Sequence, residues 1–319
     1  ACAWAQVGLY YQLFVGRIRG GGVKKVIECV PNISEGRDTD KVEAVAGVIE
    51  RPGVKLLDLS SDPNHNRTVI TYAGEPQAVA DAAFDVAKEA VEKIDLTHHQ
   101  GEHPRMGAID VIPFIPVAGV TMAECCEIAE QVGKRIGRDL NLPVYLYAES
   151  AREPKRRRLP VIREGEFEGF ALKIKDPAWQ PDFGPAERHP TAGCVAVGAR
   201  NFLVAFNVDL DTGDLKIASR IAKSIRESSG GLMNVQAKGI FLEDKQRAQV
   251  SMNILNYATT PLYRVFELVR MEAARYGVGI VESELIGLAP AQAFMDVASY
   301  YLQLPGLSRD ALVETRIYE

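Results

Sequence analysis

Apolar positions in this chain recur with two periods, and the switches between them lay out its elements. Residues 24–30 read as a strand, and Ser34-Glu35-Gly36-Arg37-Asp38 is a helix-start signal. Val42, Val45, Val48 and Ile49 then keep helical spacing as far as Pro52-Gly53. Strands are predicted over 54–59 and 67–73, joined by the polar loop 60–66, and Pro76 opens an alanine-rich helix to about Ile94. A strand over 109–117, a helix over 122–140 and a strand over 144–148 make a β-α-β-β-α-β run followed by α-β. The order recurs downstream. A strand over 202–208 and a helix over 215–227 precede a strand pair, 235–242 and 248–254, that turns at Glu243-Asp244-Lys245. A helix over 261–276, a strand over 278–281 and a helix over 291–302 follow. Two consecutive β-α-β-β-α-β units predict an α/β (α+β) protein of two ferredoxin-like subdomains, with helices on one face of each sheet. One open mixed sheet is the alternative.

Residues 150–190 break the pattern with Pro160, Gly165, Gly169, Pro177, Pro181, Gly184, Pro185 and Pro190. A loop of this length is functional or a linker, and it falls where a ligand cleft between two domains would form. Its basic run, Lys155-Arg156-Arg157-Arg158, reads either as a solvated face or as an attractor for a polyanionic ligand tail. Residues 1–22 have an apolar, aromatic start with Arg17 and Arg19 placed after it, the reverse of a signal peptide. They read as an unstructured or non-native extension. The expected division is therefore 1–22, then subdomains over 23–199 and 200–319.

Composition mostly excludes. The 319 residues suffice for two domains, and 37 basic against 42 acidic residues, a net charge of −5, argue against nucleic acid as a partner. No apolar run reaches the roughly 20 residues that span a bilayer, so no membrane partner is expected. Five scattered cysteines without a C-x-x-C pair argue for a reducing, cytoplasmic compartment and against structural zinc. Adjacent Cys125 and Cys126 point to different sides of a predicted helix and read as packing residues.

The densest chemistry lies at 97–110, where His98, His99 and His103, three of five histidines, accompany Glu102, Arg105 and Asp110. Histidine can take and return a proton near neutral pH. The spacing matches no metal motif, and Pro104 disturbs local helix geometry, so proton transfer or a plain polar loop is favoured over a metal. His103 is the preferred candidate because Pro104 stiffens the backbone after it. Between Asp58 and Arg67, Asp62-Pro63-Asn64 is turn chemistry; Asn66 and Arg67 restart a strand, where an arginine can clamp a carboxylate bidentately. Gly184 and Gly193 flank a stretch where the backbone can approach a flat ligand, or simply a rigid crossover. No G-x-G-x-x-G, P-loop or G-x-S-x-G is present.

Further ordered stretches are Glu28-Cys-Val-Pro-Asn-Ile-Ser-Glu-Gly36, Asn66-Arg-Thr-Val69, Gly101-Glu-His-Pro-Arg-Met-Gly107, Asp182-Phe-Gly-Pro185, Ala248-Gln-Val-Ser251 and Gly287-Leu-Ala-Pro290. Together these resemble the glutamate formimidoyltransferase family, also the amino-terminal part of formimidoyltransferase–cyclodeaminases. The resemblance spans 23–319 and implies two subdomains with a folate-holding tunnel between them. It implies transfer of a formimino group from N-formimino-L-glutamate to N5 of tetrahydrofolate in histidine degradation, with tetrahydrofolate as co-substrate and no metal. His103 would be catalytic. The folate-contacting stretch would be Gly184, Pro185, Ala186, Glu187, Arg188, His189, Pro190, Thr191, Ala192 and Gly193. Arg67, Arg105 and Arg200, with Asp58 and Asn66 nearby, are candidate clamps for the substrates' carboxylates; Glu102 or Asp110 would orient the His103 ring. The basic run would meet a polyglutamyl folate tail, and the molecule would be a homodimer. A formyltransferase using N-formylglutamate and a non-catalytic folate-binding protein are the alternatives.

Overall fold

The computed structural model describes residues 25–318 and divides them into two compact units, the first ending at Asn201 and the second beginning at Phe202. The expected extension at 1–22 lies outside the described residues. Both units are mixed α/β, two α+β subdomains in succession.

In the first unit, β1 (Val26–Cys29) and β2 (Asn32–Ile33) run in line, interrupted at Val30-Pro31. Proline lacks the N–H that would continue the ladder. Both pieces lie antiparallel between β4 (Arg67–Gly74) and β5 (Ile109–Ala118), and β3 (Val54–Asp62) pairs with the far side of β4. Beyond β5 the sheet continues with β7 (Val195–Ala199) and then β6 (Val144–Ala148), both parallel. The strand predicted over 144–148 is β6, now placed at the edge of this sheet. The result is seven strands.

Helices α1 (Thr39–Gly47), α2 (Pro76–Lys93) and α3 (Met122–Asp139) cover one face. Asp38 caps α1, and Thr121 with Glu124 forms a reciprocal capping box on α3. Ala80, Ala82, Ala83, Ala87 and Ala90 put small side chains where α2 meets the core. Segment 150–190 covers the opposite face with short helices, which corrects the expected loop and the one-sided helix layer. It folds as a 3-10 turn over Pro154–Arg157, helices α4 (Leu159–Arg163) and α5 (Glu166–Lys173), and a 3-10 turn over Pro177–Trp179. Ile162, Phe170 and Ile174 pack there on Val111, Tyr145, Tyr147 and Ala196. Parallel strands apolar on both faces require cover on both.

The basic run is built into this layer rather than forming one charged face. Arg156 is buried; its Nη1 donates to Asp182 (3.0 Å) and Nη2 to the Gln180 carbonyl (2.7 Å). Lys155 lies over the Trp179 ring, and Arg157 pairs with Glu149 (3.5 Å). Arg156 is therefore not available to a polyanionic tail.

The second unit is a four-stranded antiparallel sheet from β8 (Val204–Leu210), β9 (Val235–Leu242), β10 (Arg247–Ile254) and β11 (Ile280–Ile286), in the order β11-β8-β10-β9. Helices α6 (Leu215–Ile225), α7 (Leu262–Ala274) and α8 (Ala291–Tyr301) supply Ile221, Val265 and Ala293 to its core. Strand β11 reaches further than predicted because Glu282-Ser283-Glu284 is exposed at a sheet edge, where polar residues are tolerated. A final helix, α9 (Val313–Tyr318), was not foreseen. Among the described residues no helix is long and apolar enough to cross a membrane.

Candidate active site

The polar loops of the first unit converge at one end of its sheet, where β3 ends, β4, β5 and β7 begin, and α4 closes the layer. Asn66 joins them. It adopts a left-handed conformation (φ 47°), which asparagine tolerates better than most residues. Its Oδ1 accepts from the Gly36 amide (2.9 Å), its Nδ2 donates to the Gln100 carbonyl (3.0 Å), and its own carbonyl accepts from Nε2 of His99 (2.9 Å). Nδ1 of His99 in turn accepts from Nε of Arg105 (3.1 Å). With one nitrogen donating and the other accepting, His99 is a neutral structural imidazole, and its pKa is lowered chiefly by burial.

His103 differs. Its Nδ1 donates to the carbonyl of Pro104 (2.7 Å), and among the described residues no hydrogen bond reaches Nε2. Neither Glu102 nor Asp110 holds the ring: a backbone oxygen fixes the tautomer, and the free lone pair sits on Nε2. Burial, then the charges of Arg67 and Arg163, push the pKa of His103 down to about 3; Asp110 opposes them. The ring is neutral at physiological pH and so able to accept a proton.

Asp110, fully buried, is the anchor for both arginines. Its Oδ2 lies 3.0 Å from Nη2 of Arg67 and 2.5 Å from Nη2 of Arg163, while Oδ1 accepts from the Met106 amide (2.8 Å). Burial would raise its pKa, but Arg163 and Arg67 outweigh that and hold it at about 2. Nη1 of Arg67 and Nε of Arg163 are buried with no hydrogen-bond partner among the described residues. Unpaired buried donors are costly, and a carboxylate is the group that two guanidiniums recognise.

The stretch 184–193 abuts the residues that follow His103. Ala108 donates to the Ala192 carbonyl (2.9 Å), Cys194 to the Met106 carbonyl (3.0 Å), and Leu96 to the Thr191 carbonyl (2.9 Å). His189 and Gly193 exchange backbone hydrogen bonds, and Nδ1 of His189 accepts from the Ala192 amide (3.0 Å). Gly193 is left-handed (φ 71°), and a Cβ there would collide with the Met106 carbonyl. Arg188 lies over the Phe167 ring and donates to the Phe167 carbonyl (2.8 Å).

Not every expected residue joins this cluster. Arg105 is committed within the chain: besides His99, its Nη groups bind Glu166 (2.9 Å) and Glu168 (2.6 Å). Arg200 sits at the end of β7, where its charge acts on Glu28 and Tyr147. Asp58 lies mid-strand opposite Thr71, and Glu102 is exposed, its amide donating to the Asn64 carbonyl (3.2 Å). Sequence reading missed Arg163, hidden in the supposed loop over 150–190. It also passed over His65, set in a turn that explained itself without it.

Both units have known relatives. Residues 26–200 match the formiminotransferase domain, N-terminal subdomain, and residues 205–315 match the formiminotransferase domain. The chain is 51% identical to a glutamate formimidoyltransferase of Streptococcus pyogenes serotype M1, over 88% of this chain and 94% of that one. It is 50% identical to a glutamate formimidoyltransferase of Thermoplasma acidophilum, over 92% and 97%. It is also 45% identical to the formimidoyltransferase-cyclodeaminase of Mus musculus, over 88% of this chain and 53% of that longer one. Matched end to end across both units, the chain belongs to the formiminotransferase domain family.

Proposed function

We propose that this protein is a glutamate formimidoyltransferase that moves the formimino group of N-formimino-L-glutamate to N5 of tetrahydrofolate. The observation that carries the reading is a neutral His103 with a free Nε2 beside two arginines whose buried donors lack partners. In this reading Arg67 and Arg163 hold a carboxylate of the glutamate donor. Residues 184–193, packed on the segment after His103, carry the folate. As N5 bonds to the formimino carbon, Nε2 of His103 takes the N5 proton; as the bond from that carbon to the glutamate nitrogen breaks, His103 returns it to the departing nitrogen.

The reading extends to a cytoplasmic homodimer, with polyglutamyl tetrahydrofolate as an acceptor; light scattering would then give twice the 35.0 kDa of one chain. The decisive assay offers N-formimino- and N-formylglutamate separately with tetrahydrofolate. Formimino transfer is expected, lost by at least about 100-fold in His103→Gln with folate binding retained. Unchanged turnover in that variant would remove His103 from the chemistry, and transfer from the formyl donor alone would reassign the substrate.

A further inference from the structure

The turn between β3 and β4 contains a second imidazole that the steps above do not use. Oδ1 of Asp62 accepts from the amides of Asn64 (2.8 Å) and His65 (2.9 Å), and Oδ2 lies 2.8 Å from Nδ1 of His65. One carboxylate thus fixes both the backbone and the ring of His65. That ring stands edge-on to His103, with centroids 5.8 Å apart and planes at 85°. The loops carrying the two histidines are joined: the Glu102 amide donates to the Asn64 carbonyl, and Gly101 approaches the His65 carbonyl too closely to admit a Cβ. The side chains of His65 and Asp62 are 40% and 47% exposed, so the pair meets solvent while the His65 ring meets His103.

A count of protons says why such a connection is needed. At neutral pH the formimino group is a cation in the donor and remains one on N5 of the folate. The glutamate nitrogen carries one hydrogen before transfer and three afterwards, because a free α-amine is protonated. N5 supplies one of the two added hydrogens through His103. The other is a proton from solvent.

We propose that His65, held by Asp62, relays this second proton from solvent to His103. The proposal rests on the formimino-transfer reading. After the carbon–nitrogen bond has broken and His103 is neutral again, imidazolium His65 gives it a proton. His103 passes that proton to the free amine, leaving an ammonium, and water reprotonates His65. The groups around His65 are Asp62 on its own turn, His103 across from it, and Arg37, whose Nε donates to the Pro63 carbonyl (2.7 Å). Behind His103 stand Arg67, Arg163 and Asp110. Two guanidiniums disfavour a resting cation on His103, whereas the Asp62 carboxylate lies 2.8 Å from Nδ1 of His65. His65 acts through His103 and is a positioning and relay residue.

The test compares wild type, His65→Gln, Asp62→Asn and Asn64→Ala in formimino transfer from about pH 6 to pH 9, with and without added imidazole. The first two variants should lose roughly 10- to 100-fold in kcat with KM changed less than about twofold, and the loss should deepen as pH rises. Imidazole should restore part of kcat in His65→Gln, whereas Asn64→Ala, which keeps the turn amides, should follow wild type. A His65→Gln enzyme with wild-type kcat, or with a pH-independent loss that imidazole does not relieve, would overturn the relay while leaving the transferase reading intact. Wild-type protein unable to transfer the formimino group would overturn both.

Discussion

At the scale of single residues, the site turns on one depressed imidazole. His103 was legible because a histidine followed by proline stood among acid–base neighbours. Its partner was not, because a backbone carbonyl holds it, and side-chain patterns do not report backbone atoms. Arg163 was likewise hidden, since it meets Asp110 only through the packing of α4. The shift has a thermodynamic sign. The unfolded imidazole binds a proton near pH 6.5, whereas the folded one does not until about 3, so folding is weakened as pH falls through that window. Thermal melts from about pH 7 down to pH 4 should show a shallower loss for His103→Asn than for wild type. In Arg163→Gln, removal of one opposing charge should raise the pKa of His103, seen as an upward shift of the imidazole titration by NMR. Asp110→Asn should act in the opposite direction on His103. It should also destabilise the fold by about 3–5 kcal/mol, read by denaturant titration, because two buried guanidiniums lose their counter-charge.

Among the elements, the long regular strands and helices were readable because the hydrophobic period runs unbroken through them. Segment 150–190 was not. Its helices are only a turn or two long, and their apolar residues are spaced by Pro and Gly that read as loop. What holds this layer is largely polar and therefore silent in a hydrophobic pattern: Asp182 binds the Leu146 amide (2.8 Å) and Arg156 together. Arg156→Ala should take from that buried carboxylate the nearer of its two cations, leaving Arg152 at 3.9 Å, and cost up to about 3–5 kcal/mol in chemical denaturation. Substituting exposed Arg158 should change stability by less than about 0.5 kcal/mol. Gly193→Ala should weaken folate binding, measured by fluorescence titration. The left-handed turn costs an alanine about 1–2 kcal/mol before its Cβ meets the Met106 carbonyl.

For the molecule as a whole, duplication of the β-α-β-β-α-β order foretold two α+β units, but not how unequal their sheets would be. The difference is the α-β run after the first repeat: parallel pairing of β6 and β7 extends one sheet to seven strands and creates a second apolar face to cover. All the residues placed in the candidate site belong to that enlarged unit. A ligand bound there should stabilise the fold by about 2.7 kcal/mol at a hundredfold excess over its Kd, seen as a raised melting temperature in wild type and His103→Asn alike.

The arrangement around Asp110 has a practical consequence for anyone choosing a buffer. Two guanidiniums share one carboxylate there, leaving a net positive charge and two buried donors without partners among the described residues. If those guanidiniums hold the donor's carboxylate, a small carboxylate in solution competes for them. Citrate or acetate should raise the apparent KM for the donor without altering kcat, whereas a zwitterionic sulfonate, with no carboxylate to offer the pair, should not.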